Sequence, residues 1–522
     1  MGARNRANSQ RAGDGALFAP RGAVSRPTPL AVLVLPVALG ASTAEAQERG
    51  HSLGLREAVL MAARNNPTLA TAVADAAIAD ANVTAAAGVD DWLWDASASW
   101  NRTRLPYIPG TPVEQTKGDD VVVSTALTRP LPTGGAVGVR ASTEVFAGEY
   151  VSDAGSGPQT STATYQGPSL QIFASHPLLR GAGVDVARAQ RHRAAIVRDA
   201  AGLERDAAAA AVVRDVVVTY WETRIAADEL AILGELTESA RQQLAAVQAA
   251  ISAEKAPPSA AAEVKVAVAL RQDAAFSAEQ TLRAQSAELA RLLGVEVDPQ
   301  AARWETTDCP GVVPGAHVSF EVALASALDH NPGIAAVRAL GRASAIDANV
   351  RENGLLPELD LSVSGQTLGS ASDLGTAFGQ LAGFRTYDVQ VGLVFQEPLG
   401  RHAASGALRA AHERLHKTRL DEAAISGQIR SGVVREVGAI ESAARRIDAL
   451  TDATDTAALD LAAERARFEV GRATNFDVLR RQGDLAQTRL RLLRARTDYV
   501  EAIAGLEALT GDILLRYGVT LR

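Results

Sequence analysis

The feature that most constrains this chain is that its pattern is written twice. Leu55-Arg-Glu-Ala-Val through Asn66-Pro67 aligns without a gap with Phe320-Glu-Val-Ala-Leu through Asn331-Pro332, an offset of 265 residues. The register continues downstream. Trp94, Ala96 and Ala98 alternate with Asp95, Ser97 and Ser99, as Leu359, Leu361 and Val363 alternate with Asp360, Ser362 and Ser364. A repeat of this kind folds as two copies of one unit. Each unit reads as a helix, a strand, a return strand, a proline-marked exit and two long helices. The exits are Ser175-His-Pro-Leu-Leu-Arg-Gly181 and Gln396-Glu-Pro-Leu-Gly400.

The helical stretches after the exits are placed at 184–251 and 403–470, each about 100 Å long at 1.5 Å per residue. That length has no use in a globular domain; it suits a tube across a periplasm. In the second stretch Ile425, Ile429, Val433, Val437, Ile440, Ala444 and Ile447 step by about 3.67 residues, which favours nearly straight packing. The last helix carries a heptad row at Val478, Leu485, Leu492, Tyr499 and Leu506, with Ala495, Ala502 and Leu509 three places on, and pairs as an antiparallel coiled coil. Aromatics are only 4% of the chain and alanine runs such as Ala207 to Ala211 recur, so helices pack through small side chains. The net charge of -8, with both signs interspersed, excludes the basic stripe that a nucleic acid needs.

Five arginines from Arg4 to Arg26, the apolar stretch Leu30 to Leu39 and small residues ending at Ala46 mark residues 1–46 as a secretory signal peptide. Two repeats, 47–293 and 319–522, are joined by a proline- and glycine-rich linker at 294–318. The single cysteine, Cys309, forms no disulfide within the chain and reads as an incidental thiol. No other segment reads as long enough for a membrane helix, so a membrane crossing would need a closed β-barrel. Trp92, Trp94, Trp100, Tyr107, Tyr165, Phe173, Phe384, Tyr387 and Phe395 lie near strand ends and suit the interfacial girdles of such a barrel; a buried sheet face is the alternative. The first half has a surplus, Val121 to Thr128 and Ala136 to Val145 around Leu131-Pro-Thr-Gly-Gly135. Since the second half closes its share with two strands, internal symmetry favours a hairpin that decorates the rim over one that builds the wall.

Two patterns imitate enzymes. His412-Glu413-Arg-Leu-His416 satisfies the zincin spacing and makes a periplasmic zinc hydrolase the alternative function, but Glu436 and Glu441, the candidate third ligands, continue along the same helix. Gly50-His-Ser-Leu-Gly54 has the form of a nucleophile elbow without a strand before it, and Ser52 is better read as the cap of the first helix. The expectation is no catalysis, no cofactor and no resident metal.

Over about Leu53 to Gly511 the chain resembles the TolC-like outer-membrane efflux proteins. The most specific piece is Val470-Gly471-Arg472-Ala-Thr474-Asn-Phe-Asp477-Val-Leu479, similar to the family's turn between its second long helix and the last one. Asn-Pro at the end of each first helix and Thr510-Gly511 are also family-like. The resemblance implies a homotrimer in the outer membrane that extends into the periplasm. Each protomer would give four strands to one barrel, mainly α in its remaining mass, and a periplasmic adaptor and an inner-membrane pump would open the tunnel tip for efflux or type I secretion. It also implies two acidic positions near the turn. Asp477 falls on the first; Arg480 falls on the second, so the usual double acidic ring is reduced to one carboxylate per protomer. Asp477 is equally placed to support the helix start. The matching turn of the first half, Glu254-Lys-Ala-Pro-Pro-Ser259, has neither the glycine nor the acidic residue.

Overall fold

A computed structural model of the chain describes residues 51–108, 113–153, 157–255, 257–296, 304–311 and 318–521. The signal segment 1–46 lies outside the described residues, as do parts of the linker. The first half runs β1 (His51–Leu53), α1 (Leu55–Asn65), α2 (Pro67–Ala87), β2 (Leu93–Arg104), β3 (Val113–Pro130), β4 (Ala136–Asp153), β5 (Pro158–Pro177), α3 (Val184–Ala187), α4 (Ala189–Ser252) and α5 (Ser259–Leu293). After β6 (Trp304–Thr306) the second half runs α6 (Phe320–His330), α7 (Pro332–Asn353), β7 (Glu358–Leu368), α8 (Leu374–Ala382), β8 (Tyr387–Gln396), α9 (His402–Glu469), α10 (Asn475–Thr510) and α11 (Ile513–Tyr517).

The duplication is visible in the chemistry of two joints. Asn66 and Asn331 each cap the following helix, whose first residue is a proline with no N–H to leave unpaired. Asn66 accepts from Leu69 N at 3.1 Å and donates its amide to the Leu292 carbonyl, 2.8 Å away at the end of α5. Asn331 accepts from Gly333 N and Ile334 N at 2.9 and 3.2 Å and donates to the Leu509 carbonyl at 3.0 Å, at the end of α10. Each half therefore ties its first helix pair to the end of its own last helix. Gly294 and Gly511 sit beside these joints at φ +67° and +82°, where a side chain would strain the backbone.

The periodicities read from sequence place the core. In α10, Val478, Leu485, Ala495, Tyr499, Ala502 and Leu506 are buried. Ile429, Val433, Val437, Ile440 and Ile447 of α9 meet α10 and α6 in one apolar cluster. In the first half Val213, Val216, Val217, Tyr220 and Trp221 of α4 pack on Val59 of α1, Leu289 and Leu293 of α5, and Ile513 of α11. At 68 residues α9 spans about 100 Å. The first long stretch starts later than expected: α3 breaks at Arg188, and α4 carries the remaining 64 residues.

Several expectations need correction. Ser52 does not cap α1: it lies in β1, which pairs in parallel with β6, and Gly54 is the helix N-cap. The free N–H of Leu55 is instead taken by the Asp308 carboxylate at 2.6 Å. A short strand thus precedes the helix, and part of the inter-repeat segment folds back to supply its partner. The segment Pro67–Asp90 is, by length and composition, apolar enough to cross a membrane, because alanines raise its mean hydropathy; α2 within it packs along α4.

The larger correction concerns the sheet. Its order is β2-β3-β4-β5-β7-β8, six strands, all neighbours antiparallel. The surplus hairpin does not hang free of the sheet as expected: β3 pairs with β2 from Leu93↔Thr128 to Arg104↔Lys117, and β4 pairs with β5 from Ala136↔Ser175 to Asp153↔Pro158. Symmetry misled because the repeat holds only for β2 and β5 against β7 and β8; two further strands are inserted between the first pair.

Candidate functional site

Two regions carry the features that a channel would use: the sheet and the turn between α9 and α10. Alternation gives the sheet two unlike faces. One holds Trp94, Trp100, Val123, Leu127, Val139, Ile172, Val363, Val391 and Phe395, all exposed although apolar. The other holds a row of serines in register across four strands, Ser97↔Ser124↔Ser142↔Ser169, bonded in pairs at 2.9 and 2.7 Å. Asp120, Glu144 and Gln171 share this polar face, where Tyr165 donates to Glu144.

A contiguous apolar face left in solvent marks a surface meant for something other than water. Of the expected girdle residues, Trp94 (73% exposed) and Phe395 (63%) lie at the helix end of this face, and Trp100 (63%) and Tyr387 (74%) toward the far end. Trp94 and Trp100 are six residues apart, about 20 Å along a strand. Beyond Trp100 the same face turns charged: Arg102 pairs with Asp119 at 2.6 Å and Lys117 with Glu149 at 3.0 Å. Tyr165 and Phe173 depart from the expectation: their strand positions put them on the polar face, opposite Phe146 and Gly138.

The turn Val470 to Leu479 is built from two local devices. At the end of α9, Gly471 takes φ +71° while its N–H bonds the Phe468 carbonyl and Arg472 N–H bonds the Arg467 carbonyl, closing the helix with a left-handed residue. Three residues later Thr474 caps α10. Its hydroxyl accepts from Asp477 N at 3.2 Å while the Asp477 carboxylate accepts from Thr474 N at 3.0 Å, a reciprocal capping box. The Thr474 hydrogen bonds hold the Asp477 carboxyl below its ordinary range, with Arg480 and Arg481 adding to the effect. Asp477 thus does the helix-start work that the sequence allowed. Val470 and Arg480 are exposed, as is Phe476.

What the sequence reading missed is how this turn is held. Leu479 of α10 is buried among Ala240 and Val247 of α4 and Val264 and Val268 of α5. Around it, Arg271 of α5 donates to the Leu236 carbonyl at 3.0 Å and the Leu479 carbonyl at 3.1 Å. Ser239 donates to Gln482 at 3.2 Å, and Gln243 donates to Asn475. Desolvation pushes the Arg271 pKa down. One signal was present: Arg271 follows Val264 and Val268 on the buried stripe of α5, where a cation has to find a partner.

The zincin spacing gains no third ligand. His412 and His416 are exposed on α9, and among the described residues no group of three or more His, Cys, Asp or Glu side chains is placed to hold a metal ion. Glu436, twenty residues on, lies about 30 Å away along the helix.

Residues 323–512 match the family described as outer membrane efflux protein. A similar curated protein is the outer membrane efflux protein BepC of Brucella suis, 29% identical over 190 residues, which are 36% of this chain and 40% of that protein. The alignment thus spans about two-fifths of the relative's length. Solved structures match nearly the whole chain at low identity. The outer membrane protein VceC of Vibrio cholerae has TM-score 0.61 and 16% identity over 88% of this chain and 96% of its own. The CmeC outer membrane channel of Campylobacter jejuni has TM-score 0.62 and 14% identity over 88% and 85%. A membrane protein of Pseudomonas aeruginosa has TM-score 0.64 and 18% identity over 88% and 91%. Residues 323–512 thus match the outer membrane efflux protein family, and the chain as a whole has the fold of the outer-membrane proteins it is similar to.

Proposed function

We propose that this protein is the outer-membrane channel of an export system, a passive duct with no catalytic step. The observation that carries the reading is one sheet with an exposed apolar face and a polar face, set on helices about 100 Å long. In lipid every strand edge must be paired, so a single sheet of this kind functions only as part of a closed barrel. Residues 1–46 act as the export signal, and the repeats 47–293 and 319–522, joined by 294–318, supply the wall of one homotrimeric tunnel.

The tunnel tip lies at Val470 to Arg480. There the exposed Val470 and Phe476, flanked by Arg472 and Arg480, form the surface that a periplasmic adaptor meets when an inner-membrane pump of an efflux or type I secretion system is engaged. Asp477 contributes one carboxylate per protomer to the constriction while capping α10, and Arg480 one turn on weakens its field. Planar-bilayer recording of the detergent-purified protein tests the reading. Trimers that conduct are expected, with weak divalent block. Arg480→Asp is expected to strengthen cation preference and block, and Asp477→Ala to lower both. Recovery as a soluble periplasmic monomer without conductance overturns the function; unchanged selectivity in both variants removes Asp477 and Arg480 from the pore.

A further inference from the structure

The two long edges of the sheet are open. β2 has twelve residues and β8 ten, neither contains a proline, and among the described residues each has a strand on one side only. Such edges demand partners. Along the sheet the strands alternate in direction, so β2 and β8 run opposite ways. When β8 of one copy lies beside β2 of the next, the pairing continues antiparallel, with the apolar face outward and the serine face inward throughout.

The inserted hairpin obeys the same rule as its neighbours. On β3 and β4, Val121, Val123, Leu127, Val139 and Val145 fall on the apolar face, while Ser124, Ser142 and Glu144 fall on the polar one. β2 and β5 do not touch each other; only the hairpin connects them. Its inner turn is docked on the exit from β5. Thr133 bonds the His176 ring at 2.8 Å, and Gly134, at φ +99°, lies so close to the Gly181 carbonyl that an added Cβ would stand 2.4 Å from it. A loop that hangs from the rim has no reason to carry lipid-type alternation or a packed inner turn.

We infer that β3 and β4 are membrane wall, and that the pore in the outer membrane is a ring of six strands per copy, eighteen in the trimer, closed by β8 against β2 of the next copy. This rests on the reading above as a trimeric outer-membrane channel, whose family resemblance implies four strands per copy. With strands about 4.8 Å apart and tilted about 40°, eighteen strands enclose a backbone diameter of about 36 Å, against about 24 Å for twelve. The ring itself is therefore half as wide again as one of twelve strands.

Spin labels test this in full-length protein carrying Cys309→Ser and reconstituted in lipid. Labels at Val123→Cys and Val139→Cys are expected to be relaxed by oxygen dissolved in the bilayer, and labels at Ser124→Cys and Ser142→Cys by a water-soluble nickel chelate. Val391→Cys and Gln390→Cys on β8 serve as the control pair. If β8 alternates and all four hairpin labels report water, the hairpin is outside the wall and the inference is overturned. If β8 itself fails to alternate, the membrane-channel reading falls and the inference with it. A second measurement is independent of labels. In the wall, Ser97 and Ser169 are three strand spacings apart, about 14 Å, too far for a disulfide. A Ser97→Cys, Ser169→Cys pair is expected to stay reduced under oxidation, and formation of the bond would show β2 paired directly to β5 and the hairpin expelled.

Discussion

The two halves close their long helical hairpins in different ways. At the second-half tip, the left-handed position is Gly471 and the next helix starts on the Thr474–Asp477 capping box. At the first-half tip the chain makes the same hydrogen-bonded reversal, Glu254 N to the Ile251 carbonyl and Lys255 N to the Ala250 carbonyl, but the left-handed residue is Glu254 at φ +58°. Its following helix begins at Ser259 after Pro258, with no side-chain cap. One fold thus carries a turn with a glycine and a capping box and a turn that makes the same backbone hydrogen bonds with neither. The lesson is that the two copies of a repeat can share the geometry of a turn without sharing the residues that favour it. At the opposite end of each half the Asn-Pro joints have kept both geometry and residues.

The largest effect is expected where the joints are tightest. A Cβ on Gly294 would stand 2.2 Å from the Asn65 carbonyl oxygen, and one on Gly511 2.9 Å from that of His330. Gly294→Ala is expected to cost about 3 kcal/mol and Gly511→Ala about half of that, from backbone strain plus overlap. Thermal unfolding of the detergent-solubilised protein measures both; equal costs would mean that the joints relax alike and that the tighter first-half contact has no energetic weight.

Next come the caps themselves. Asn66 is 3% exposed and bonds both α2 and α5, so Asn66→Ala is expected to cost about 2 kcal/mol. Asn331, less buried, is expected to lose about 1 kcal/mol on the same substitution. A reversed order in urea titrations would break the link between burial and cap strength.

A third measurement probes where the halves meet. Burial, and then the nearby Glu222 carboxylate of α4, raise Glu501 of α10 to about 8, while Arg494, bridged to Glu222 at 2.7 Å, works in the opposite sense. A carboxyl raised above its ordinary 4.5 contributes stability fully in acid and loses it as pH climbs through the folded value. Between about pH 4.5 and 8 the protein is therefore expected to weaken, on the order of 1–2 kcal/mol after allowing for partial exposure. Glu501→Gln should flatten that slope. A slope that survives the substitution assigns it to another group.

The smallest effect concerns the tips. Gly471→Ala is expected to cost about 1 kcal/mol, and Glu254→Gly to gain about half of that by relieving the left-handed residue at some cost in chain entropy. If Glu254→Gly destabilises instead, the first-half turn has support from its surroundings that outweighs its strain.

Much of this molecule follows from the sequence alone. The duplication, the long helices, the Asn-Pro joints and the heptad row of α10 all lie in residue type and spacing, because local propensity and a buried stripe point to the same structure. The Gly471 and Thr474–Asp477 turn is equally local. Three features are decided only by tertiary structure. Ser52 enters a strand because β6, some 250 residues away, supplies its partner. The clamp of Arg271, Gln243 and Ser239 on α10 exists only when two coiled coils from different halves lie side by side. The place of β3 and β4 inside the sheet needs the pairing itself: β2 to β5 form a meander of sequence neighbours, and only β5 against β7 joins strands far apart in the chain. Alternation tells which residues share a face, but it does not say whether a hairpin's outer edges bond the strands before and after it or stand away from them.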